Sequence, residues 1–186
     1  TYRYAGTDYG AGPITNAGEE TAGCNDFNRF WKIDGSDIRS FKADLTDNNG
    51  SLSPSQIAES ILQWPGKNNP HFNSFTLPNN HNLAPFWDAN NDGNYDPTTG
   101  DYPVFDEDNS CAIADQMIWW IFNDIGNIHT QSSGEAIGIE VSTVAYAFAT
   151  NDALNDATFY RYQIRHRGTA PIHNFHIGQW VDPDLG

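Results

Sequence analysis

Two stretches, Ala136-Ile-Gly-Ile-Glu-Val-Ser-Thr-Val-Ala-Tyr-Ala-Phe-Ala149 and Thr158-Phe-Tyr-Arg-Tyr-Gln-Ile-Arg-His-Arg167, decide the fold class. In the first, small or polar residues alternate with Ile137, Ile139, Val141, Val144, Tyr146 and Phe148. In the second, Phe159, Arg161, Gln163 and Arg165 alternate with Tyr160, Tyr162 and Ile164. A period of two sends successive side chains to opposite faces of a strand. His173 to Val181 reads as a third strand, with Gly168-Thr-Ala-Pro171 as the turn before it. Sequential strands joined by Asn, Asp, Gly and Pro turns predict an antiparallel sheet. The expected fold is mostly β, an antiparallel sandwich-like domain with one or two short helices and a long calcium-ordered loop.

Upstream, the pattern changes. Ala112 to Asp124 is the most hydrophobic segment, and its length and the flanking Asp108 and Ser110 predict a buried helix, with a central strand over Met117–Phe122 as the alternative. Ser53-Pro-Ser-Gln56 carries the capping-box spacing and predicts a helix through Ile57, Ile61 and Leu62, stopped at Trp64-Pro-Gly66. Asp47-Asn-Asn-Gly-Ser51 reads as a turn. Phe27 to Phe41 interleaves aromatics with charges and predicts short strands broken at Asp34-Gly35. Residues 1–23 read as an irregular arm or edge strand. Residues 66–110 form a long excursion rich in Asn, Pro, Asp and Gly, which something must order if it belongs to a compact domain.

The candidate for that role is Asp88-Ala-Asn90-Asn-Asp92-Gly93-Asn94-Tyr-Asp96. Oxygen-bearing side chains fall at every second position, and a glycine follows the third. Ca²⁺ takes six to eight oxygens at about 2.3–2.6 Å, and alternate residues of a curled loop can converge on it. Asp88, Asn90 and Asp92 would supply side-chain oxygens, Asn94 its carbonyl, and Asp96 a direct or water-mediated contact. A full EF-hand asks for Glu at its twelfth position, here Thr99. The match is instead to a shorter loop closed from elsewhere, with Asp101, Asp106 and Asp108 nearest. The competing reading is a polar Asx/Gly turn without an ion. Asp182-x-Asp184-x-Gly186 is a second candidate half-site, since two carboxylates two apart repel unless bridged.

Composition narrows the partners. The 186 residues carry a formal net charge of −15, which makes DNA, RNA and anionic membranes poor partners. The acid is mostly Asp, 18 against 6 Glu, a choice that suits loops and cation sites rather than helical surfaces. Six Trp, eight Tyr and eleven Phe compensate for a modest hydrophobic content of 38%. No run approaches the roughly 20 apolar residues of a membrane helix. Cys24 and Cys111 are the only cysteines. In an oxidising compartment they would pair, and closing so long a loop would stabilise by roughly 4 kcal/mol on the chain-entropy argument.

Catalytic motifs are lacking. There is no GxSxG, HExxH, P-loop or dinucleotide-binding glycine pattern. His173 and His176, three apart on an expected strand, point to opposite faces. Glu135 and Glu140 could form a glycosidase pair only if folding brought them into one cleft, and structural carboxylates are far commoner. Trp119, Trp120, Trp180, Tyr160 and Tyr162 offer either a sugar-stacking platform or core, and core suits Trp119-Trp120. No catalytic residue is assigned.

The order of segments Phe86-Trp-Asp-Ala-Asn-Asn-Asp-Gly-Asn-Tyr-Asp-Pro97, Gly100-Asp-Tyr-Pro103, Asp115-Gln-Met-Ile-Trp-Trp-Ile-Phe-Asn-Asp124, Asn127-Ile-His-Thr130, Gly138-Ile-Glu-Val141, Tyr146-Ala-Phe-Ala149, Thr158-Phe-Tyr160 and Asp182-Pro-Asp-Leu-Gly186 resembles large secreted and cell-surface proteins of Bacteroidota. Those proteins carry a C-terminal type IX secretion sorting domain. The resemblance spans roughly residues 85–186 and does not include the sorting domain. It implies export, and a calcium-dressed β-rich module. The expectation is therefore one β-rich domain cut from a longer polypeptide, with 1–23 as an arm, 66–110 as a calcium-loop insert and 136–186 as antiparallel strands. Its expected role is a structural or adhesive module of a surface or filament-forming protein, meeting other copies or domains of that protein. The alternative is a carbohydrate-binding module or part of a secreted glycoside hydrolase.

Overall fold

The computed structural model describes residues 8–15, 24–107 and 112–178. Its elements run β1 (Gly10–Ala11), β2 (Trp31–Asp34), α1 (Gly35–Asp47), α2 (Glu59–Leu62), β3 (Phe86–Trp87), β4 (Tyr102–Pro103), β5 (Gln116–Asn123), β6 (Ile139–Ala147) and β7 (Thr158–His166). Single 3₁₀ turns interrupt the loops at Cys24–Phe27, Pro54–Gln56, Pro97–Thr99 and Ala153–Asp156. The fold is mostly β, with antiparallel sheets and two α-helices.

β5 is the centre of the main sheet. β6 lines one side of it, and β7 follows β6 at the sheet's edge. β1 and β2 lie end to end along the other side, with Gly10 opposite Asn123 and Trp31 opposite Trp119. All pairings are antiparallel. Expected strands 136–149 and 158–167 are thus present as β6 and β7.

The hydrophobic run at 112–124 is a strand, not the expected helix. Met117, Trp119, Ile121 and Asn123 are buried, while Ile118, Trp120 and Phe122 are only partly covered. Apolar side chains on both faces hid this alternation in the sequence. A second correction concerns Phe27 to Phe41. β2 is a strand, but the chain turns at Asp34 directly into α1, which buries Ile38 and Phe41. The spacing of Ile38, Phe41 and Leu45 is helical. The region at 53–62 is likewise split. Gln56 Oε1 accepts the Ser53 N–H at 3.1 Å, as a capping box requires, but only a 3₁₀ turn follows, and the α-helix begins anew at Glu59. Residues 173–178 form no strand, which corrects the expected third strand, whose end at 179–181 lies outside the described residues. Asn49 and Gly50 adopt positive φ in the turn after α1, as expected for that stretch.

One face of the main sheet is covered. Ile33, Met117, Trp119, Ile121 and Val144 join Ile38 and Phe41 of α1, Ile61 of α2, and Trp64, Leu83, Tyr95 and Tyr102 of the long excursion in a single core. Trp119 is fully buried, its ring centroid 6.4 Å from that of Trp64 and its indole N–H donating to Ser142 Oγ. Full burial of such aromatics removes 150–250 Å² each from water, about 4–6 kcal/mol apiece at 25 cal/mol/Å² as an upper estimate.

The opposite face differs. Rows Ile118–Ala145–Tyr160, Trp120–Thr143–Tyr162 and Phe122–Val141–Ile164 lie there by register and pleat. Tyr160 and Tyr162 are each 56% exposed. Phe30 meets Trp120 edge-on, and Tyr9 meets Phe122. No element among the described residues covers this face.

Candidate metal centre

β3 and β4 pair as a short antiparallel ribbon, with Trp87 opposite Tyr102, and the ribbon closes residues 88–101 into one loop. The loop is anchored below by Tyr95. That ring is fully buried against Phe86, its hydroxyl donates to the Ile61 carbonyl at 2.7 Å, and its N–H donates to the Lys67 carbonyl at 2.8 Å. Gly66 is needed where it stands, because a Cβ there would lie 2.5 Å from that of Tyr95. Burial and the charges of Asp101 and Asp96 push the Tyr95 hydroxyl well above its ordinary pKa, so it stays a donor.

The loop tip curls as the spacing predicts. Gly93 sits at φ +77, the left-handed conformation that favours glycine. Asp88 accepts the Gly93 N–H at 2.7 Å and the Asp92 N–H at 3.3 Å. Asn90 Oδ1 accepts the Asp92 N–H at 3.0 Å. The Asp92 carboxylate accepts the Asn94 N–H at 2.7 Å and an Asn90 amide hydrogen at 2.9 Å, contacts that hold it below the ordinary pKa. Asp88, Asn90, Asp92 and Asn94 are therefore drawn together around one turn.

Asp101 lies at the base. It is fully buried, and its two carboxylate oxygens accept the N–H groups of Ala89 at 2.9 Å and Asp96 at 2.7 Å. Burial, and then the charges of Asp88 and Asp92, push its pKa up to about 6 against those two hydrogen bonds. Asp96 turns elsewhere: it caps the Pro97–Thr99 turn by accepting from Thr98, and pairs with His71 Nε2 at 3.2 Å. Asp106 pairs with Arg161 at 3.3 Å. Among the described residues no three of His, Cys, Asp and Glu stand together as metal ligands. Asn90 and Asn94, two of the expected ligands, are not among those residue types.

Other expected sites divide as follows. Cys24 is buried, its thiol donating to the Pro13 carbonyl at 3.6 Å, while Cys111 and the expected pairing lie outside the described residues. Asp108, Trp180, Asp182 and Asp184 also lie outside them. Glu135 is exposed, but Glu140 is fully buried. Its carboxylate accepts from His81 Nε2 at 2.8 Å, from the Ile14 N–H at 2.9 Å and from Arg167 at 3.3 Å, with Arg165 at 3.6 Å. Burial raises the Glu140 pKa, yet His81 first, then Ile14 and Arg167, hold it below its ordinary value. Glu140 thus ties the excursion, the N-terminal strand and β7 to β6. Sequence reading missed this cluster because His81 is 59 positions away and a lone His carries no signal.

No protein family, curated protein or solved structure matches the chain. No helix among the described residues is long and apolar enough to cross a membrane.

Proposed function

We propose that this chain is a calcium-stabilised extracellular module with a structural or adhesive role in a larger surface protein. The observation that carries the reading is the charge balance at the loop. Asp101 is fully buried, and burial first, then the charges of Asp88 and Asp92, push its pKa up to about 6. A divalent cation held by oxygens of Asp88, Asn90, Asp92 and Asn94 would relieve that repulsion. Asp101 would then serve through its charge and by fixing the N–H groups of Ala89 and Asp96, and Asp96 through its backbone or a bridging water.

The structural role is supported by the sheet. One face is core, and on the other, among the described residues, Tyr160, Tyr162 and Ile164 of β7 stand exposed beside partly covered Trp120 and Phe122, with β7 at the sheet's edge. An apolar sheet face and an open edge are the surfaces on which a second layer or a neighbouring strand packs. A sandwich completed by another domain or another copy satisfies both, and export as implied by the resemblance to type IX cargo fits a calcium-rich medium.

The test is thermal unfolding and limited proteolysis with calcium, with magnesium, and with excess chelator. Calcium is expected to raise the melting temperature and magnesium is not. Asp88→Ala or Asp92→Ala should abolish the calcium effect and admit protease within 66–107, leaving β5 to β7 formed. Equal melting in calcium and chelator, together with unchanged proteolysis of both variants, would remove the calcium half of the proposal.

A further inference from the structure

Residues 68–80 form a closed loop whose neck is fastened by amides. Asn68 Nδ2 donates to Asn80 Oδ1 at 3.3 Å, and the Asn80 N–H donates to Asn68 Oδ1 at 2.8 Å. Both asparagines sit at positive φ, 57 and 55. The loop is further pinned from outside. Asn69 donates to the carbonyls of Leu62 and Trp64, and Gln63 bridges the His71 carbonyl and the Asn73 N–H. Compact loops with joined ends usually fill their middle with their own side chains and are frequently functional. This one instead encloses an open concavity of about 680 Å³, within the roughly 300–1,000 Å³ of small-ligand sites.

The lining is informative. In a protein of net charge −15, no charged side chain lines the concavity. Asparagine amides and the Thr76 hydroxyl share the lining with Phe72, Phe75, Leu77 and Pro78. Phe75 is held by edge contacts to Phe27 and Phe72 and by the Arg29 guanidinium 5.5 Å from its ring. The exposed side chains of Asn73 and Asn79 make no hydrogen bond among the described residues. Each offers a donor and an acceptor. Amides with open donors and acceptors beside aromatic rings suit a ligand that presents vicinal hydroxyls on an apolar ring of C–H groups. No charged side chain of the lining itself favours an ion there.

We infer that the 68–80 concavity binds a neutral oligosaccharide, with Asn73 and Asn79 addressing hydroxyls and Phe72 supplying the apolar contact. This deepens the adhesive half of the proposed function by naming the class of partner, and it stands on residues separate from the calcium loop. The two are joined mechanically. Asn68 Nδ2 donates to Asn94 Oδ1 at 2.7 Å, and His71 pairs with Asp96.

The experiment is titration calorimetry of the full chain with cellohexaose, mannohexaose, laminarihexaose and N-acetylchitohexaose, and with polygalacturonate as the anionic control, each in calcium and in chelator. Binding of at least one neutral probe is expected, weakened about tenfold or more in the Asn73→Ala/Asn79→Ala double variant, since two lost hydrogen bonds amount to at least that. Phe72→Ala should weaken it similarly. The melting temperature of the double variant, whose changes are both on exposed positions, should match the wild type. Absence of binding by every neutral probe, preference for the anion, or equal binding by the double variant would overturn the inference. Failure of binding while calcium still raises the melting temperature refutes the site and leaves the calcium reading standing. Binding that persists unchanged in chelator supports the site and removes its coupling to the loop.

Discussion

Lowering the pH of the calcium-free protein from 7 to 5 should stabilise it by about 1 kcal/mol through Asp101 alone. The reasoning starts from its pKa of about 6 in the fold against an ordinary 3.8. A carboxyl whose pKa is raised by folding contributes stability when protonated, and loses it as pH climbs through the folded value. The full penalty for ionising Asp101 is about 3 kcal/mol, of which somewhat under half falls between pH 5 and 7. Histidines titrate in the same window. The readout is therefore the difference between wild type and Asp101→Asn, in which the histidine contribution cancels. Urea unfolding followed by tryptophan fluorescence, with Trp64 and Trp119 buried as reporters, measures it at each pH. In chelator the wild type should lose stability relative to Asp101→Asn as pH rises. In saturating calcium that relative loss should vanish or reverse, because a bound cation favours the ionised carboxylate. Parallel pH profiles in chelator would refute the charge argument at Asp101. A divergence that calcium leaves untouched would show that no cation sits near it.

Two further outcomes test the frame around the loop. Glu140→Ala should destabilise by about 3–5 kcal/mol in urea unfolding, because it leaves the buried His81 and the half-buried Arg167 without their carboxylate; a change below about 1 kcal/mol would mean that the cluster is solvated in solution. Tyr95→Phe removes the hydroxyl that donates to the Ile61 carbonyl, which keeps the Trp64 N–H, and should lower stability by about 0.5–1.5 kcal/mol, with hydrogen exchange rising first in 66–107.

The parts of this fold that the sequence makes legible are β6 and β7, where small or polar residues separate the larger apolar ones. β7 alternates visibly because its side chains are mostly exposed or half-buried, and β6 is readable beside it. β5 misleads because Ile118, Trp120 and Phe122 are as apolar as Met117, Trp119 and Ile121, so the period of two is masked by an aromatic second face. α1 is hidden for the opposite reason: only Ile38 and Phe41 of its large apolar side chains are buried along 13 residues, with Gly35 at its start, a stripe thin enough to pass for charged loop. At the site, local spacing gave Asp88, Asn90, Asp92, Asn94 and Gly93 their places around one turn, because those contacts span at most five positions. Asp101 was legible only as a neighbour. Its burial depends on the β3–β4 ribbon, and two-residue strands leave no periodic trace. The amide neck at Asn68 and Asn80 was invisible, since asparagine in a loop looks like any polar turn until its partner is known.

The loop tip and the neck of the 68–80 concavity are joined through Asn68 and Asn94, and this sets what a cation at the tip could do. Asn94 donates twice toward Asp92 and accepts from Asn68, so its side chain stands between the acidic turn and the amide neck. Drawing the Asn94 carbonyl toward a cation would hold this side chain in place, and with it Asn68 and the Asn80 N–H. The core, by contrast, holds Tyr95 and Trp64 whether or not a cation is present, through Ile61, Lys67 and Pro85. Two scales of order follow. Removal of calcium should free the turn and the neck while the base of the excursion stays docked, whereas Tyr95→Phe should loosen the base and carry the tip with it. Exchange confined to 68–94 in the first case and spread across 66–107 in the second would separate an ion that shapes a binding surface from a side chain that holds the fold.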